Sequence, residues 1–227
     1  MHENKTLQRR NVLQIAAAFG AMSVFSPLRR ALAQALQRTP EQILGPFYPV
    51  RKMPDRGGDL THLPGKAGRA AGQVINVMGR VLDINGEPVR QAKIETWQAN
   101  THGRYTHPND TNPAPLDANF EGFGVMTTDT EGRYRFKTIK PGAYPAGQGV
   151  IRPPHIHFIV SGRRDKLVTQ MYFEGEPLNQ RDPFLLSAPA NSRELLIAKE
   201  LPPPPELARD LEPDSRLEVF DIVLLRG

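Results

Sequence analysis

From Gln73 onward the chain is a series of short segments rich in β-branched residues, and this pattern restricts the possible folds more than any other feature. Turn-forming residues, such as Asn85-Gly86 and Thr130-Glu131-Gly132, separate the segments. Short strands at regular spacing with turn signals between them are typical of an antiparallel β-sandwich. We therefore predict an all-β domain, an antiparallel β-sandwich, over residues 73–227, without a helix longer than two turns.

One tight hairpin is predicted near the start of this domain. Asn-Gly is a preferred pair for a two-residue turn, so residues 92–99 are expected to return along the strand that ends at Asp83. Two long loops, 100–123 and 140–154, interrupt the strand pattern. Loops of this length inside a compact domain are usually functional. We therefore expect these two loops to carry function.

The N-terminal 33 residues have the layout of a twin-arginine signal peptide. Arg9-Arg10 precedes an apolar stretch, 12–25, and the small-residue sequence Ala31-Leu32-Ala33 follows. The stretch is short for a membrane span, so export to the periplasm or the cell exterior is predicted, without a stable membrane span. The alternative is an amphipathic helix of the folded protein. Residues 34–72 are predicted to form an extended arm and a loop.

Composition excludes several classes of function. Most of the formal net charge of +5 lies in the first 33 residues, so the rest of the chain is nearly balanced. This argues against nucleic acid as a partner. Cysteine is absent, which excludes a disulfide framework, a thiolate zinc site and a cysteine nucleophile.

Two of the chain's six histidines, His155 and His157, are separated by one residue in a predicted strand. Residues i and i+2 of a strand point to the same face, so both imidazoles are expected side by side. A shared metal ion is one way to satisfy two buried imidazoles. Zinc usually takes a third nitrogen, sulfur or carboxylate ligand, and no such residue stands at a typical spacing here. The spacing alone therefore leaves both a metal site and a structural pair open.

Four motifs, in order, resemble the intradiol ring-cleavage dioxygenases. They read ETWQANTHGRYTHPND, TTDTEGRYRFKTIKPGAYP, RPPHIHF and TQMYFEGEPL. The resemblance runs from about Gly79 to about Pro177, and more weakly through FDIVLLRG at the end. It is strongest to the β-subunit type of protocatechuate 3,4-dioxygenase. The catechol 1,2-dioxygenase branch carries an additional helical N-terminal domain, a pattern that this chain lacks.

The resemblance implies a mononuclear non-haem Fe(III) ion bound by Tyr105, Tyr144, His155 and His157. Hard, anionic phenolate oxygen suits ferric iron. Tyr144 would be an axial, displaceable ligand opposite His157, able to take a proton from the substrate. The implied reaction cleaves a catechol with O2 between its hydroxyl-bearing carbons and yields a cis,cis-muconate.

Further residues acquire roles by the same resemblance. Arg152 would stabilise negative charge that develops on the ring, and Gln170 would lie near the bound substrate. The segment Gly45, Pro46 and Phe47 would line the substrate pocket. The plainer interpretations are a surface salt bridge for Arg152, an ordinary strand residue for Gln170 and a packed N-terminal arm for residues 45–47.

The substituent on the catechol stays open. Arg163 either meets a substrate carboxylate or belongs to a solvated hairpin tip, and the tip is favoured. Ala146 stands where the family carries a tryptophan, and the loop between Tyr144 and Arg152 is short, so a wider pocket is expected. Protocatechuate and other substituted catechols are both candidates.

Two other functions compete with the enzyme. One is a non-catalytic binding module of the transthyretin-like or carboxypeptidase-regulatory-like type, and the other is a zinc hydrolase that uses the two histidines. The inserted Tyr105 and the spacing of Arg152, His155 and His157 favour the dioxygenase. Its small-molecule partners would be a catechol and O2. The family's assembly implies a homo-oligomer, or a hetero-oligomer with a related subunit.

Overall fold

The computed structural model describes residues 35–50 and 58–227, and strands are the main regular structure, all of them from Val74 onward. The predicted signal peptide, 1–33, lies outside these residues, as does the segment 51–57. The strands are β1 Val74–Asp83, β2 Lys93–Trp97, β3 Phe123–Thr127, β4 Arg133–Ile139, β5 Tyr144–Pro145, β6 Ile151–Arg152, β7 His155–Ser161, β8 Lys166–Phe173, β9 Ile197–Leu201, β10 Arg216–Val219 and β11 Ile222–Leu224. The all-β prediction is confirmed.

Helices in the described residues are short. Two are α-helices, α1 Pro183–Ser187 and α2 Pro205–Ala208. Two are 3₁₀ helices, Pro177–Arg181 and Arg193–Leu196. Within the described ranges, no helix has the length and apolar character needed to cross a bilayer.

The strands form two layers around one apolar core. β1 pairs with β4, β10 and β11, whereas β2 pairs with β3 and β7, and β7 continues to β8. β9 joins the layers because it pairs with both β10 and β8. Phe158 of β7 contacts the rings of Tyr134 and Phe136 of β4 across the core, with centroids 6.3 and 6.0 Å apart. Burying these aromatic rings is a large part of what holds the layers together.

Strand β7 alternates between two environments. Ile156, Phe158 and Val160 point into the main core between the layers. His155 and His157 therefore point to the opposite face, as residues two apart on a strand must. The core residues thus fix the face on which both histidines lie.

The predicted hairpin between β1 and β2 is wrong beyond its turn. The turn forms, with the Gly86 amide donating to the Asp83 carbonyl at 2.9 Å, but the return reaches only as far as Val89. The chain then crosses to the other layer, where β2 pairs with β3 and β7. Both edges of β1 are already occupied, by β4 on one side and by β10 and β11 on the other.

The sheets are also mixed and not purely antiparallel as predicted. β1 runs parallel to β10 and to β11, and β8 runs parallel to β9. Long connections separate these partners in the sequence, and long connections permit parallel pairing. Turn signals report only adjacent strands, so they carried no information about these pairs.

One buried carboxylate makes the stability of this fold depend on pH. Glu218 of β10 is 3% exposed, and its Oε2 has no hydrogen-bond partner among the described residues. It lies beside Glu200 of β9 in the antiparallel register. Burial, and then the charge of Glu200, raises the pKa of Glu218 from 4.5 to about 7. The folded state therefore binds this proton more tightly than the unfolded state.

We expect Glu218→Gln to stabilise the protein at pH 8 by up to about 3 kcal/mol. The stability that protonated Glu218 contributes is complete below the unfolded pKa of 4.5 and is lost as the pH rises through the folded pKa. The variant should therefore match the natural protein at pH 4. Urea unfolding at both pH values measures this difference. The exposed substitution Glu206→Gln is the control and should shift stability by less than about 0.5 kcal/mol. Equal effects of Glu218→Gln at pH 4 and pH 8 would contradict the assignment.

Candidate active site

The candidate site lies on the face of β7 that points away from the main core. The register places Trp97 of β2 opposite His157, while β8 sets Gln170 opposite His157 and Tyr172 opposite His155. Directly opposed residues share a sheet face. The Trp97 indole stacks on the His157 ring, with centroids 4.8 Å apart and planes 10° apart. Strand pairing thus collects five side chains on one surface.

Two loops bring tyrosines onto this surface. The Tyr105 amide donates to Asp110 Oδ2 at 2.7 Å, which fixes the first loop around its phenol. Gly103 has φ +76°, and a side chain there would overlap the Ala143 carbonyl oxygen of the second loop. Only glycine permits this contact. Because Ala143 immediately precedes Tyr144, the close packing of the loops brings both tyrosines to one place.

The predicted quartet Tyr105, Tyr144, His155 and His157 is brought together and buried. The Tyr144 hydroxyl lies 3.4 Å from His155 Nε2, and His155 Nε2 lies 3.2 Å from His157 Nε2. The Tyr105 and Tyr144 rings meet edge to face at 5.4 Å between centroids. Neither the buried Tyr105 hydroxyl nor His157 Nδ1 has a hydrogen-bond partner of ordinary geometry within the described residues.

Both imidazoles are neutral at physiological pH. Burial, and then the charge of Arg152, lowers the pKa of His155 well below 6.5 and that of His157 to about 3. His155 Nδ1 lies 2.7 Å from the Pro153 carbonyl, which can only accept, so Nδ1 carries the proton. His155 Nε2 therefore presents a lone pair to the site.

Burial acts on the phenols in the opposite sense. It raises the pKa of Tyr105 well above 10, with the neighbouring Tyr144 adding to the effect. It also raises the pKa of Tyr144. Both phenols therefore keep their protons unless a positive charge lies next to them.

The N-terminal arm covers the quartet from the solvent side. Gly45 has φ +75°, and a Cβ atom there would lie 3.2 Å from Cε1 of His157. Phe47 packs on Tyr105, with ring centroids 4.6 Å apart. The Gln170 amide donates to the Ile43 carbonyl at 2.9 Å and ties the arm to β8. The predicted segment 45–47 therefore lies against the site.

Arg152 is not at the surface but in a buried network. Its Nε donates to Asp182 Oδ2 at 2.6 Å, and its Nη2 donates to Gln170 Oε1 at 2.7 Å and to the Tyr172 hydroxyl at 3.0 Å. The side chains of Arg152 and Asp182 are 3% and 0% exposed. Phe184 covers the guanidinium, with Cζ 4.4 Å from the ring centroid. The surface salt-bridge interpretation of Arg152 is therefore wrong.

A cleft of about 550 Å³ opens beside the quartet. Tyr144 and Arg152 belong to its wall, together with Pro46 and Phe47 of the arm. Its outer wall comes from residues 109–113 of the first loop and 145–147 of the second. The two long loops thus build the cleft as well as the quartet.

Arg163 does not join this site. It is exposed at the turn between β7 and β8, at the opposite end of β7 from the histidines, and does not line the cleft. The structure agrees with the solvated-tip interpretation.

Sequence reasoning did not identify Asp182, Trp97 and Phe184. Asp182 is thirty residues from its partner Arg152, and its sequence signal is only that of a helix N-cap before a proline. Trp97 could have been found from the cross-strand register of β2 and β7, but no local pattern in the sequence encodes the register of that pair. Phe184 carries no sequence signal for its place over Arg152.

The residues that form this site lie within a region whose sequence is similar to known proteins. The chain matches the family described as Dioxygenase (Dioxygenase_C) over residues 43–225, a range that holds both strand layers, both long loops and the part of the arm that contacts the site. The chain belongs to the intradiol ring-cleavage dioxygenase family. The family resemblance read from the four motifs is confirmed.

Particular relatives have related activities. The chain is 45% identical over 181 residues to the protocatechuate 3,4-dioxygenase beta chain of Burkholderia cepacia, with 77% of each chain covered. It is 36% identical over 154 residues to catechol 1,2-dioxygenase 2 of Acinetobacter lwoffii, covering 61% of this chain and 52% of that one. Among solved structures, the dioxygenase domain of a dioxygenase and carbohydrate-binding fusion from Streptomyces sp. SirexAA-E superposes with a TM-score of 0.62 at 26% identity. That match covers 84% of this chain and 100% of the other.

We expect Asp182→Ala to lower the free energy of unfolding by about 3–5 kcal/mol, because it leaves the buried Arg152 charge without its counter-ion. It also removes the cap that accepts hydrogen bonds from the Phe184 and Leu185 amides. Asp182→Asn keeps an oxygen acceptor and should cost less. Urea denaturation measures both changes. The exposed pair of Arg133 and Glu131 gives the control, since Glu131→Ala should cost at most about 1 kcal/mol. A loss for Asp182→Ala no larger than this control would show that the buried pair is not needed.

Proposed function

We propose that this protein is an Fe(III)-dependent intradiol dioxygenase that cleaves a substituted catechol with O2 to a cis,cis-muconate. The observation that carries the proposal is the convergence of two buried phenols and two buried neutral imidazoles beside an open cleft. Both atoms of O2 would enter the product, so no external reductant is needed. The family membership supports the class of reaction.

The quartet fits a metal ion on two grounds. Ligand atoms about 2.0–2.2 Å from a common ion lie roughly 3 Å apart when they subtend a right angle. The separations of 3.4 Å between Tyr144 and His155, and 3.2 Å between the two Nε2 atoms, are close to that value. The buried Tyr105 hydroxyl without an ordinary partner is the second ground. Tyr105, Tyr144, His155 and His157 would hold the ion.

The donor set favours ferric iron over zinc. Phenolate oxygen is a hard anionic ligand, and hard ligands suit a trivalent ion. When bound, Fe(III) supplies Lewis acidity that ionises the diol and redox capacity that activates the ring toward O2. A nearby cation also favours the ionised phenols that burial alone suppresses.

Tyr144 is the residue proposed to accept a substrate proton. It is the only member of the quartet that lines the cleft, so a diol entering the cleft meets its hydroxyl oxygen first. His155 lies between Tyr144 and His157 in the chain of contacts. All three side chains would therefore be within reach of one bound ion, with Tyr144 as the member next to the cleft.

Arg152 is proposed to stabilise negative charge on the bound ring. Its Nε and Nη2 are fixed by Asp182, Gln170 and Tyr172, whereas Nη1 makes no hydrogen bond to the described residues. Arg152 lines the cleft, so Nη1 is the donor available to a ligand. A preorganised donor in a buried site stabilises developing charge more strongly than one in water. Phe47 and Gly45 keep solvent away from the quartet by their packing on Tyr105 and His157.

Two further parts of the proposal concern how the chain assembles and whether it is exported. The relatives include proteins named as beta and alpha chains of protocatechuate 3,4-dioxygenase, both from Burkholderia cepacia. We propose that this chain also assembles, with itself or with a related subunit. Export through the predicted signal 1–33 stays a proposal, and fractionation of cells that express the full chain tests it.

We expect Tyr105→Phe to lose most of the bound iron and the visible tyrosinate-to-Fe(III) absorption, because it removes one anionic ligand. Tyr144→Phe should keep part of the iron but lower kcat about 10²–10⁴-fold, the usual contribution of a positioned proton acceptor. Elemental analysis, the visible spectrum and O2 uptake with catechol measure these effects.

Tyr134→Phe is the matched control for these two variants. Its phenol is equally buried, but it donates to the Phe220 carbonyl in the main core and lies outside the quartet. It should lower stability without changing iron content or colour. Iron content and turnover unchanged in both Tyr105→Phe and Tyr144→Phe would refute the ligand assignment, and so would purified natural protein that neither contains nor takes up iron.

A further inference from the structure

The cleft is larger than a single diol ring requires. Its volume of about 550 Å³ is within the range of roughly 300–1,000 Å³ that holds drug-sized ligands. Tyr144 and Arg152 lie at its inner end. Tyr144 is a member of the buried quartet and contacts His155, and Arg152 is hydrogen-bonded to Gln170 on the strand beside it. A catechol whose oxygens reach Tyr144 therefore leaves room toward the mouth for a substituent.

The walls along that space are mostly apolar. The arm, the first loop, the second loop and α1 each contribute to them, through Ile43, Pro46, Phe47, Pro113, Pro145, Ala146 and Phe184. Ile43 is 45% exposed, so an apolar group placed against it would remove apolar surface from water. Burying apolar surface is favourable by about 0.8 kcal/mol for each CH₂ group.

The charges around the cleft disfavour an anion. Among the described residues that line it, only Asp110 and Arg152 are charged. Arg152 is already neutralised by Asp182, with which it forms a 2.6 Å ion pair. The Asp110 carboxylate is held in place by the amides of Tyr105 and Asn112. The cationic side chain on this wall is therefore already paired with a carboxylate, and the other charged side chain is itself an anion. A carboxylate on the substituent would lose hydration without gaining an unpaired counter-ion.

We propose that the cleft selects catechols that carry an uncharged alkyl or aryl substituent over catechols that carry a carboxylate. The inference rests on the proposed function, because it takes the quartet as the place where the diol binds. It names the substrate class that the proposed function leaves open. The substituent lies between the arm and the second loop, with Ala146 near its outer end.

Two matched ligands test the charge preference. 4-Propylcatechol and 3-(3,4-dihydroxyphenyl)propionate have the same chain length and differ at its end, a methyl group against a carboxylate. Titration calorimetry on the iron-loaded full chain without O2 measures binding apart from turnover. We expect 4-propylcatechol to bind at least about tenfold more tightly, given the apolar area available to its chain. Equal affinities, tighter binding of the acid, or binding of neither ligand would overturn the inference.

Ala146 offers a test of where the substituent lies. It is exposed at the turn between β5 and β6, so its side chain can be extended without disturbing the core. Ala146→Lys should improve binding of the acid by about two- to fivefold, the range of an exposed ion pair. Ala146→Gln has similar length without charge and should leave the preference for 4-propylcatechol in place. No gain for the acid in Ala146→Lys would refute this position of the substituent.

Product analysis in air separates this inference from the proposed function. If the neutral ligand binds more tightly but neither ligand yields a muconate, the proposed function fails while the binding preference stands. If both ligands are cleaved and the acid binds more tightly, the inference fails while the proposed function stands.

Discussion

The position of β7 in its sheet is the constraint on which the site depends. β7 pairs with β8 along its whole length, and with β2 on the other side from His157 to Ser161. A slip of one residue would turn His155 and His157 into the core and bring Phe158 out. The burial of Ile156, Phe158 and Val160 makes that slip costly, so hydrophobic packing on one face positions the imidazoles on the other.

The quartet is completed by elements that have little regular structure of their own. Tyr105 lies in a loop, and Tyr144 lies in a two-residue strand. Their positions are set by direct contact between the two loops, at Gly103 and Ala143, and by the Asp110 carboxylate that accepts from the Tyr105 amide. These anchors position both phenols, although neither lies in a long strand.

The buried network around Arg152 connects the site to β8 and to helix α1. Asp182 caps α1 and also pairs with Arg152, so one carboxylate serves the helix and the guanidinium together. The Gln170 side chain accepts a hydrogen bond from Arg152 and donates one to the arm. The Tyr172 hydroxyl also accepts a hydrogen bond from Arg152. Gln170 and Tyr172 lie on one face of β8, and Asp182 immediately precedes α1. The arm, the strand and the helix are therefore held in one arrangement around the cleft.

The amino-acid sequence by itself determined the features that local chemistry encodes. β-branched segments and turn residues specified the all-β class, the hairpin tip at Arg163, and the shared face of His155 and His157. The four motifs specified the family. These features are readable because strand period, turn preference and motif order are properties of neighbouring residues.

Tertiary structure alone decided which distant residues meet. Asn85-Gly86 encodes a turn but not the partner of β2, because both edges of β1 are filled by strands from elsewhere in the chain. Asp182 became the counter-ion of Arg152, and Trp97 the stacking partner of His157, through packing across tens of residues. The cleft's apolar walls likewise come from four separate segments. Such contacts form when the two strand layers pack together and when long loops bring distant residues into contact. Patterns among neighbouring residues do not predict them.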